Sequence, residues 1–419
     1  MKFKTKLGTV RENVSQVVYC ASSGVKKDYA DGGKLTLTAK DGALTATSNN
    51  GFVAISKQLF AKGDIDSSVE TDGSVTLSAI DFMASIKGFK KDSICTFSFD
   101  GKTFTIQDIA SVKRKNSLPG TDKDVVMPET EKSFDSDFSV SRESFIDAIG
   151  KVYHAVGNEG FRPAFRFWKM EVDTDSLYVV AGSGPSFEIY DLKGKGFISA
   201  TKKTKLLVSR DHSDVLMKLI AEQDDKTFTV KQKNIAKSDY FSQAVFEFAG
   251  ATIILLGYDP GKTWPDETIF TQRKNTQHFV ISSEEWGIQV YGLMAVGTAE
   301  LRKANMHHQM TMNFDGANNE LLTESTYTLS STVPCKIKDS DSTRQFCCEA
   351  DYFLQLITKG EGKENLQFEF IDDNTPSSRT VIVKHNAGDK ISDGPFVKTN
   401  ANGTTGERIT LIASSASKK

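Results

Sequence analysis

The segment Gly257-Tyr-Asp-Pro-Gly-Lys-Thr263 is the first that suggests chemistry, because it resembles a phosphate-binding loop. Such a loop needs Gly, four further residues and then Gly-Lys-Ser/Thr, followed by a helix whose N-terminus holds the phosphates. Here only three residues separate the two glycines, and Trp264-Pro265 stands where the helix should begin. Nucleotide binding is therefore not expected, although an enzyme that uses this segment stays among the hypotheses.

Candidate metal ligands and catalytic side chains are few and poorly spaced. His307 and His308 are adjacent, so on a strand they would point to opposite faces. Asp339 with Asp341, and Asp372 with Asp373, lack the spaced oxygen ligands of a calcium loop. No Ser–His–Asp or Cys–His grouping can be assembled from the sequence. We therefore predict no catalytic residue, no metal and no cofactor.

The composition indicates a folded protein with several domains. The 419 residues predict two or three domains, and 38% hydrophobic with 25% charged residues argues against disorder. No apolar run approaches the roughly 18 residues needed to span a membrane and no signal peptide is present, which predicts a cytoplasmic protein. A net charge of -2 does not exclude nucleic acid as a partner, because binding depends on a local basic surface. The cysteines have no paired spacing and are predicted to be reduced core residues: Cys20, Cys95, Cys335, Cys347 and Cys348.

The clearest structural pattern covers residues 74–107. Apolar and polar residues alternate over 74–78, which predicts a strand with one buried face. The spacing then changes to that of one helix face, which holds Ala79, Phe82, Met83, Ile86 and Phe89. Two more strands follow on either side of an Asp100-Gly101 turn. The predicted unit is strand, helix, strand, strand.

This plan recurs roughly six times along the chain, two units to a domain, without detectable identity between copies. The predicted fold class is α+β, with three similar domains at 1–115, 136–270 and 271–419 and a linker at 116–135. Helix starts are predicted from capping boxes at Thr9–Glu12 and Ser282–Glu285 and from an N-cap at Ser141. A helix is also predicted at 350–357, and a flexible loop at 386–408 precedes the closing strand at 409–412 and a loose tail.

A strand–helix–strand–strand unit has one apolar helix face and one apolar sheet face. Two such units bury a common core and leave the other side of each helix exposed. Domains joined end to end, with their helices on one side, would build a curved wall. Pairing of its open sheet edges with a second copy would close a ring.

Several stretches resemble the bacterial DNA polymerase III beta sliding clamps. Asp72-Gly-Ser-Val-Thr-Leu-Ser-Ala-Ile-Asp-Phe-Met-Ala-Ser-Ile-Lys-Gly-Phe89 and Thr96-Phe-Ser-Phe-Asp-Gly-Lys-Thr-Phe-Thr-Ile106 resemble the second half of the first domain of that family. Residues 346–357 resemble its last helix. Residues 257–266 resemble the segment that leaves its second domain, with Trp264-Pro265-Asp266 in place of the usual Phe-Pro-Asp. In layout the resemblance covers nearly the whole chain.

The resemblance implies a head-to-tail homodimeric ring around duplex DNA, which tethers the replicative DNA polymerase, is placed by a clamp loader and has no active site. A ring holds DNA by topology, so it needs only weak, sequence-independent contacts from Lys and Arg to phosphates. The cations expected on or beside the inner helices are Arg11, Lys87, Lys90, Lys91, Arg142, Lys151 and Arg210. Lys26, Lys27 and Arg162 lie in loops that resemble DNA-touching loops of the family. Each of these cations is alternatively an ordinary solvated charge.

The family also has a peptide pocket between its second and third domains, which receives short apolar motifs from polymerases and the clamp loader. Carried over by position, its lining here would be Phe165, Gly182, Gly184, Phe187, Pro265, Ile409 and Leu411. The chain departs from the family at Gly182-Ser-Gly-Pro-Ser-Phe187, where a Thr-Asp-Gly-His-Arg-Leu type run is usual, and in the tail after the closing strand. The apolar members of this set are alternatively core residues.

A structural alternative also remains open at this point. A β-rich assembly protein of the virion type could use the repeated units simply to tile, without encircling DNA. A clamp, in contrast, would be a discrete dimer that stays on closed DNA and slides off linear DNA.

Overall fold

The computed structural model describes residues 1–111, 113–157, 163–183, 186–266, 277–295, 309–325, 330–337, 343–349, 365–370, 380–387, 397–399 and 404–413. The chain forms two compact units. The first unit is Met1–Ile146 with Ser199–Asp259, and the second unit is Asp147–Ile198 with Pro260–Lys419. The three domain ranges predicted from the sequence stay a prediction.

Antiparallel strands dominate the described residues, and the predicted α+β fold class is confirmed. The helices are α1 (Leu7–Ser22), α2 (Ala79–Lys87), α3 (Arg142–Val152), α4 (Arg210–Ala221) and α5 (Ser283–Ala295). The strands are β1 (Lys2–Lys6), β2 (Lys34–Lys40), β3 (Ala43–Asn49), β4 (Val53–Phe60), β5 (Ser68–Thr71), β6 (Gly73–Ser78), β7 (Ile94–Phe99), β8 (Thr103–Asp108), β9 (Lys115–Pro119), β10 (Ser136–Ser141), β11 (Phe167–Val172), β12 (Ser176–Gly182), β13 (Ser186–Lys193), β14 (Ile198–Ala200), β15 (Thr204–Ser209), β16 (Thr227–Asn234), β17 (Phe241–Glu247), β18 (Ala251–Leu256), β19 (Gln277–Ser282), β20 (Gln309–Asp315), β21 (Glu320–Ser325), β22 (Ser330–Pro334), β23 (Lys336–Ile337), β24 (Thr343–Glu349), β25 (Asn365–Phe370), β26 (Thr380–Ala387), β27 (Val397–Thr399) and β28 (Thr405–Ala413).

The first unit contains a five-stranded sheet in the order β5-β1-β7-β8-β9. Its alternating apolar residues form a stack in which the rings of Phe3 and Phe97 lie 4.7 Å apart, and Phe82 of α2 contacts Phe104 at 6.0 Å. The edge strands β5 and β9 were not predicted. Both are short, and most of their side chains are exposed, so they lack the apolar alternation by which the other strands are recognised.

The large sheet of the first unit runs β10-β16-β17-β18-β4-β3-β2-β6. Strands β18 and β4 pair antiparallel, with Ile253 opposite Ile55, and join the two chain segments of this unit. Helices α1 and α4 bury the apolar stripes that their spacing predicts, including Val14, Val17 and Leu216. The exposed sides of these helices carry the polar residues.

The connection predicted between the first two domains lies along the large sheet. After β9 it pairs with β6 at Thr121 and Thr76, and farther on the amide of Glu131 donates to the side chain of Gln243 on β17 at 2.9 Å. Its apolar side chains Met127 and Phe134 pack against Ala54, Val245 and Ile254. The segment therefore crosses the sheet from β6 to β17.

The second unit contains a long sheet in the order β11-β12-β13-β28-β26-β25-β19-β23, with β27 beside β28, and a four-stranded sheet in the order β22-β21-β20-β24. Helix α5 buries Trp286 and Val290 in the core of this unit. The indole Nε1 of Trp286 donates to Thr323 at 3.2 Å, which satisfies the polar group of this large buried side chain. Across the described residues of both units, no helix is long and apolar enough to cross a membrane.

The predicted capping box at Thr9–Glu12 is wrong. Helix α1 begins earlier, at Leu7, and no side chain caps it. Instead, the amides of Leu7 and Gly8 donate to the carbonyl oxygens of Ser93 at 2.9 Å and Lys91 at 2.8 Å. A tertiary contact thus satisfies the amides that a capping side chain would otherwise bind. The N-cap at Ser141 is confirmed, since its hydroxyl accepts from the amide of Ser144. Of the capping box predicted at Ser282–Glu285, the serine half is confirmed, since the hydroxyl of Ser282 accepts from the amide of Glu285.

The loop predicted at 386–408 is also partly wrong. Residues 397–399 form β27, and β28 begins at Thr405, where alternate half-buried and buried side chains continue the pattern of the closing strand. The predicted helix at 350–357, the tail from 414, and residues 388–396 and 400–403 of that loop lie outside the described residues.

Candidate functional site

Arg11 is a residue of α1 whose side chain reaches the C-terminal end of α2 and donates hydrogen bonds to the backbone there. Its Nε donates to the carbonyl oxygen of Ile86 at 3.1 Å, and its Nη2 donates to that of Phe89 at 2.8 Å. The carbonyl of Ile86 belongs to the last turn of α2 and that of Phe89 lies just beyond its end, a place where a cation is favoured. Arg11 is half-buried and therefore serves first to join α1 to α2.

Three of the predicted DNA-binding lysines surround the same helix end. Lys87, Lys90 and Lys91 are all exposed. Lys91 makes a loose ion pair with Glu12 of α1, 3.7 Å between Nζ and Oε1, and both side chains are mostly in solvent. Such a pair is worth little to stability, so the ammonium groups stay available to an anion. The structure brings Arg11 and these lysines together.

Lys26 and Lys27 lie in the loop after α1 and are exposed. The loop is held at Lys26, whose amide donates to the carbonyl oxygen of Asn50 at 2.8 Å and whose Nζ lies 5.8 Å from the centre of the Phe52 ring. Gly51 packs directly against this loop. Its φ is +92°, and a Cβ on this residue would come within 2.7 Å of the Cβ of Lys26. Only glycine fits this close approach.

The remaining predicted cations are less exposed. Arg142 and Arg210 are the first residues of α3 and α4 and are half-buried. Lys151, at the end of α3, is half-buried with its Nζ 4.0 Å from the carboxylate of Asp147. Arg162 lies outside the described residues.

Sequence reasoning missed a cation on α4. The Nζ of Lys218 lies 3.9 Å from the centre of the Tyr19 ring, within the range of a strong cation–π contact between α4 and α1. The position of Lys218 on the polar side of α4, opposite Leu216 and Leu219, was the sequence feature that could have identified it as an exposed cation. The partner could not be found in this way, because Tyr19 belongs to a different repeat.

A buried polar network joins α1, β4 and the end of α4 inside the first unit. The Nζ of Lys57 donates to Gln16 at 3.0 Å and to Gln223 at 3.4 Å, and Gln223 also donates to Gln16 at 2.7 Å. Burial lowers the pKa of Lys57, with the nearby carboxylates of Asp224 and Glu222 acting against it. The network fixes how the helices meet and takes no part in the predicted sites.

His212 of α4 is buried between aromatic rings. Its ring centre lies 5.1 Å from that of Phe52 and 6.3 Å from that of Tyr258. Neither ring nitrogen has a hydrogen-bond partner among the described residues. Burial lowers the pKa of His212 to about 4, against the opposite influence of Asp211. The side chain is therefore neutral at physiological pH.

Several residues of the predicted peptide pocket form an aromatic cluster in the second unit. We use this name for Phe165, Phe187 and Trp264. The ring of Phe165 meets Phe187 at 5.5 Å and Trp264 at 6.4 Å, both nearly edge to face. Gly182 lies under Phe187, because a Cβ there would come within 2.7 Å of the ring. Trp264 was noted in the sequence only as part of a motif, and its membership of the cluster was missed.

Strand register adds the C-terminal residues of the predicted pocket. Phe187 of β13 pairs with Leu411 of β28, and Ile189 pairs with Ile409. Residues two apart on a strand share a face, so these positions occupy one side of the sheet. Pro265, next to Trp264, is half-buried. Gly184 lies outside the described residues.

The opposite face of the same strands carries a buried ion pair. Nε of Arg408 lies 3.2 Å from one carboxylate oxygen of Glu188, and the hydroxyl of Thr410 donates to the other at 2.7 Å. Nε2 of His154 lies 3.5 Å from that second oxygen. Burial opposes ionisation of Glu188, but the charge of Arg408 and the nearby imidazole outweigh it and lower the pKa to about 2. Glu188 is ionised at any pH of interest.

The segment that imitates a phosphate-binding loop forms no helix from Gly257 to Asp266, where its described part ends. After β18 it continues as an irregular chain to the buried Trp264. Gly257 packs against β17, where a Cβ would overlap the carbonyl oxygen of Phe241. This backbone lacks the helix N-terminus that would hold a phosphate. Among the described residues, no three His, Cys, Asp or Glu side chains converge as metal ligands would.

Comparison with known proteins places the fold. No protein-family profile and no curated protein matches the sequence. Solved structures match it from end to end. A putative DNA polymerase III beta subunit from Eubacterium rectale is 13% identical, with 100% of both chains covered and a TM-score of 0.76. The DNA polymerase sliding clamp of Bacillus subtilis is 13% identical, with 100% of this chain and 99% of that chain covered and a TM-score of 0.77.

A third match is a Pseudomonas aeruginosa sliding clamp bound to griselimycin, 14% identical, with 99% of both chains covered and a TM-score of 0.74. The fold of this chain is therefore the DNA polymerase sliding-clamp fold. More narrowly, it is the version found in bacterial DNA polymerase III beta subunits, which confirms the resemblance predicted from the sequence.

Proposed function

We propose that this chain is a DNA sliding clamp, a processivity factor without catalytic activity that encircles duplex DNA and tethers a replicative polymerase in the cytoplasm. The observation that carries the proposal is the match to sliding clamps over the full length of both chains. The matches named above are all DNA polymerase III beta subunits or sliding clamps, so the structural alternative is not favoured. The ring would be a head-to-tail homodimer.

Exposed cations support the DNA-binding part of the proposal. Lys26, Lys27, Lys87, Lys90 and Lys91 project from the first unit into solvent. Contacts of this kind, from flexible side chains to phosphates, carry no sequence information and let a protein slide. Helix α5, in contrast, has Glu284 and Glu285 in its first turn and no basic residue. We therefore assign most of the electrostatic contact with DNA to the first domain.

The aromatic cluster supports the partner-binding part. Its edge-to-face rings, together with Pro265 and Ile409, supply the apolar lining that an extended peptide with Leu and Phe side chains requires, and Leu411 holds the register position opposite Phe187. The partners proposed for it are the replicative polymerase and the clamp loader.

Encirclement can be tested without a clamp loader. Duplex DNA is tethered to beads by one end, the protein is allowed to thread over the free end, and that end is then blocked with a bulky protein. After a wash at high salt, we expect retention only on DNA blocked after threading, and release when a restriction enzyme cuts the DNA. Equal retention on open and blocked DNA would contradict encirclement.

Two further measurements complete this test. Light scattering should give twice the 46.1 kDa mass of one chain. A fluorescein-labelled hexapeptide ending in Leu-Phe should bind with an anisotropy change that an excess of the unlabelled hexapeptide reverses, and Phe187→Ala should weaken it roughly tenfold or more, as for a buried aromatic anchor. A monomer in solution would refute the ring, and unchanged peptide affinity would refute the pocket.

A further inference from the structure

No short turn sets the register of the closing strand β28 against β13 and β26, because the strand nearest to it in sequence, β27, pairs only with Thr405 to Glu407. Strand β28 begins at Thr405, whereas β26, its neighbour in the sheet, ends at Ala387. Its other neighbour, β13, lies about 220 residues earlier in the chain. In hairpins the loop length sets the register, but pairings between distant segments must be specified by side chains. A slip by one residue would turn every side chain of β28 to the other face.

Such a slip would directly change the aromatic-cluster side of the sheet. In the observed register, Ile409 and Leu411 occupy positions on the same face as Phe187, and Arg408 and Thr410 occupy the opposite face with Glu188. A slipped strand would bring a guanidinium and a hydroxyl to the apolar face. It would also take from the buried carboxylate of Glu188 its two partners on β28, Arg408 and Thr410, which is costly.

The ion pair between Glu188 and Arg408 is placed where it can prevent a register slip of β28. Glu188, Arg408 and Thr410 are all at most 4% exposed. Both carboxylate oxygens are engaged, one by Arg408 and one by Thr410, so the interaction depends on two neighbouring register positions at once. Buried ion pairs add little net stability compared with an apolar pair of similar size. Their best supported use is to select one register from several.

We propose that Glu188 and Arg408 are positioning residues for the partner-peptide site, because their buried pair locks the register of β28 against β13 and so keeps Ile409 and Leu411 on the side of Phe187. The proposal rests on the proposed function only for the identity of the bound peptide. The register lock itself is independent of any ligand.

The test replaces the pair by an apolar one, Glu188→Leu with Arg408→Leu, which removes the lock without leaving a buried charge. Register is read by a disulfide between Asp191→Cys and Glu407→Cys, which are register partners and half-buried. We expect efficient cross-linking with the native pair and a clear loss with the apolar pair. Native cross-linking in the apolar-pair variant would overturn the proposal.

Binding of the Leu-Phe hexapeptide is the second readout. If the slipped register holds half of the molecules, the apparent affinity falls about twofold, and if it holds nine in ten, about tenfold. Cooperative thermal unfolding and unchanged mass establish that the variant is folded. If the apolar-pair variant does not fold, the Glu188→Gln variant tests the register lock instead. This substitution keeps the shape of the side chain and the hydrogen bond from Thr410 but removes the charge. Unchanged cross-linking and affinity in Glu188→Gln would then overturn the proposal.

The two proposals fail in different ways. If the wild-type chain does not bind the hexapeptide, the pocket function is refuted, while the cross-link still measures the lock. If the wild type binds and the apolar-pair variant binds equally well with native cross-linking, the pocket stands and the positioning role is refuted.

Discussion

Arg11 illustrates how one side chain can carry two assignments. Its position on a helix with an exposed polar face suggests a phosphate contact, but its guanidinium donates to the carbonyl oxygens of Ile86 and Phe89 at the end of α2. A group already bonded to buried carbonyls contributes to folding whether or not DNA is present. Lys87, at the same helix end, is instead exposed to solvent.

We predict that Arg11→Met destabilises the protein by about 1–3 kcal/mol, because the variant cannot form the hydrogen bonds from a charged donor to buried carbonyls. Urea unfolding measures the change. The matched control is Lys87→Met, an exposed substitution at the same helix end, which should change the free energy of unfolding by less than about 0.5 kcal/mol. Equal effects in the two variants would show that Arg11 has no structural role.

His212 gives the protein a pH dependence whose sign follows from its burial. The neutral form is favoured in the folded state, with a pKa of about 4 against the ordinary histidine value of 6.5. The unfolded chain therefore takes up a proton at a higher pH than the folded chain. The stability associated with neutral His212 is complete above about pH 6.5 and is lost as the pH falls towards 4, by about 3 kcal/mol in total.

The variant His212→Leu removes this contribution. We expect the difference in unfolding free energy between pH 7 and pH 4 to be smaller by about 3 kcal/mol in the variant than in the wild type. Comparison of the two proteins removes the effect of carboxylates that titrate in the same range. A pH dependence identical in both would mean that His212 titrates normally.

At the scale of elements, tertiary contacts determine where helices and turns begin. Helix α1 starts at Leu7 because carbonyls of Ser93 and Lys91 accept its first amides. Gly257 follows β18 because only a residue without a side chain fits against the carbonyl oxygen of Phe241. In both cases the neighbour comes from a different part of the chain.

Two glycine-to-alanine variants distinguish the cost of close tertiary packing from the effect of helix propensity. Gly257→Ala forces a Cβ onto the backbone of β17, so we expect a loss of roughly 1–3 kcal/mol from overpacking. Gly150→Ala lies in α3, where a Cβ would meet nothing within 4 Å. There we expect a gain of about 0.5–1 kcal/mol, because alanine favours the helix. Thermal or urea unfolding of each variant checks both signs, and a neutral Gly257→Ala would contradict the close packing.

At the scale of the whole molecule, the described basic residues of the proposed DNA surface are concentrated in the first unit. A total charge of -2 gives no hint of this distribution. The cluster of Lys87, Lys90 and Lys91 at the end of α2 is its densest part. Because the proposed ring holds DNA by topology, these charges affect threading and salt dependence more than final retention.

We predict that changing Lys87, Lys90 and Lys91 together to Glu lowers the yield of threading on tethered DNA several-fold and leaves the dimer mass unchanged. For each lysine that binds a phosphate in the wild type, the slope of log affinity against log salt should also become shallower by about 0.9 in the variant. The matched control changes three exposed lysines in or next to turns, Lys40 at the end of β2, Lys62 and Lys102, to Glu. If both triple variants thread equally well, the α2 cluster does not face DNA.

The sequence by itself determined the periodic spacing of apolar and polar residues along the chain. Alternation in strands such as β7 and β8, and the apolar stripes of α1, α2 and α4, follow from local burial, so the α+β class and the repeated units could be predicted. Cations on polar helix faces could be selected for the same reason. The exposed edge strands β5 and β9 could not, because they bury too little to leave a pattern.

Only the tertiary structure decided which residues meet. The partners of Arg11 and Lys218 lie in other repeats, Lys57 reaches Gln223 166 residues further along, and Glu188 meets Arg408 about 220 residues further along. A local pattern records that a side chain is buried or exposed, but not what it touches, because its neighbours depend on strand register and helix packing between distant segments. For the same physical reason, the place of Trp264 in the aromatic cluster and the backbone cap of α1 exist only in the folded chain.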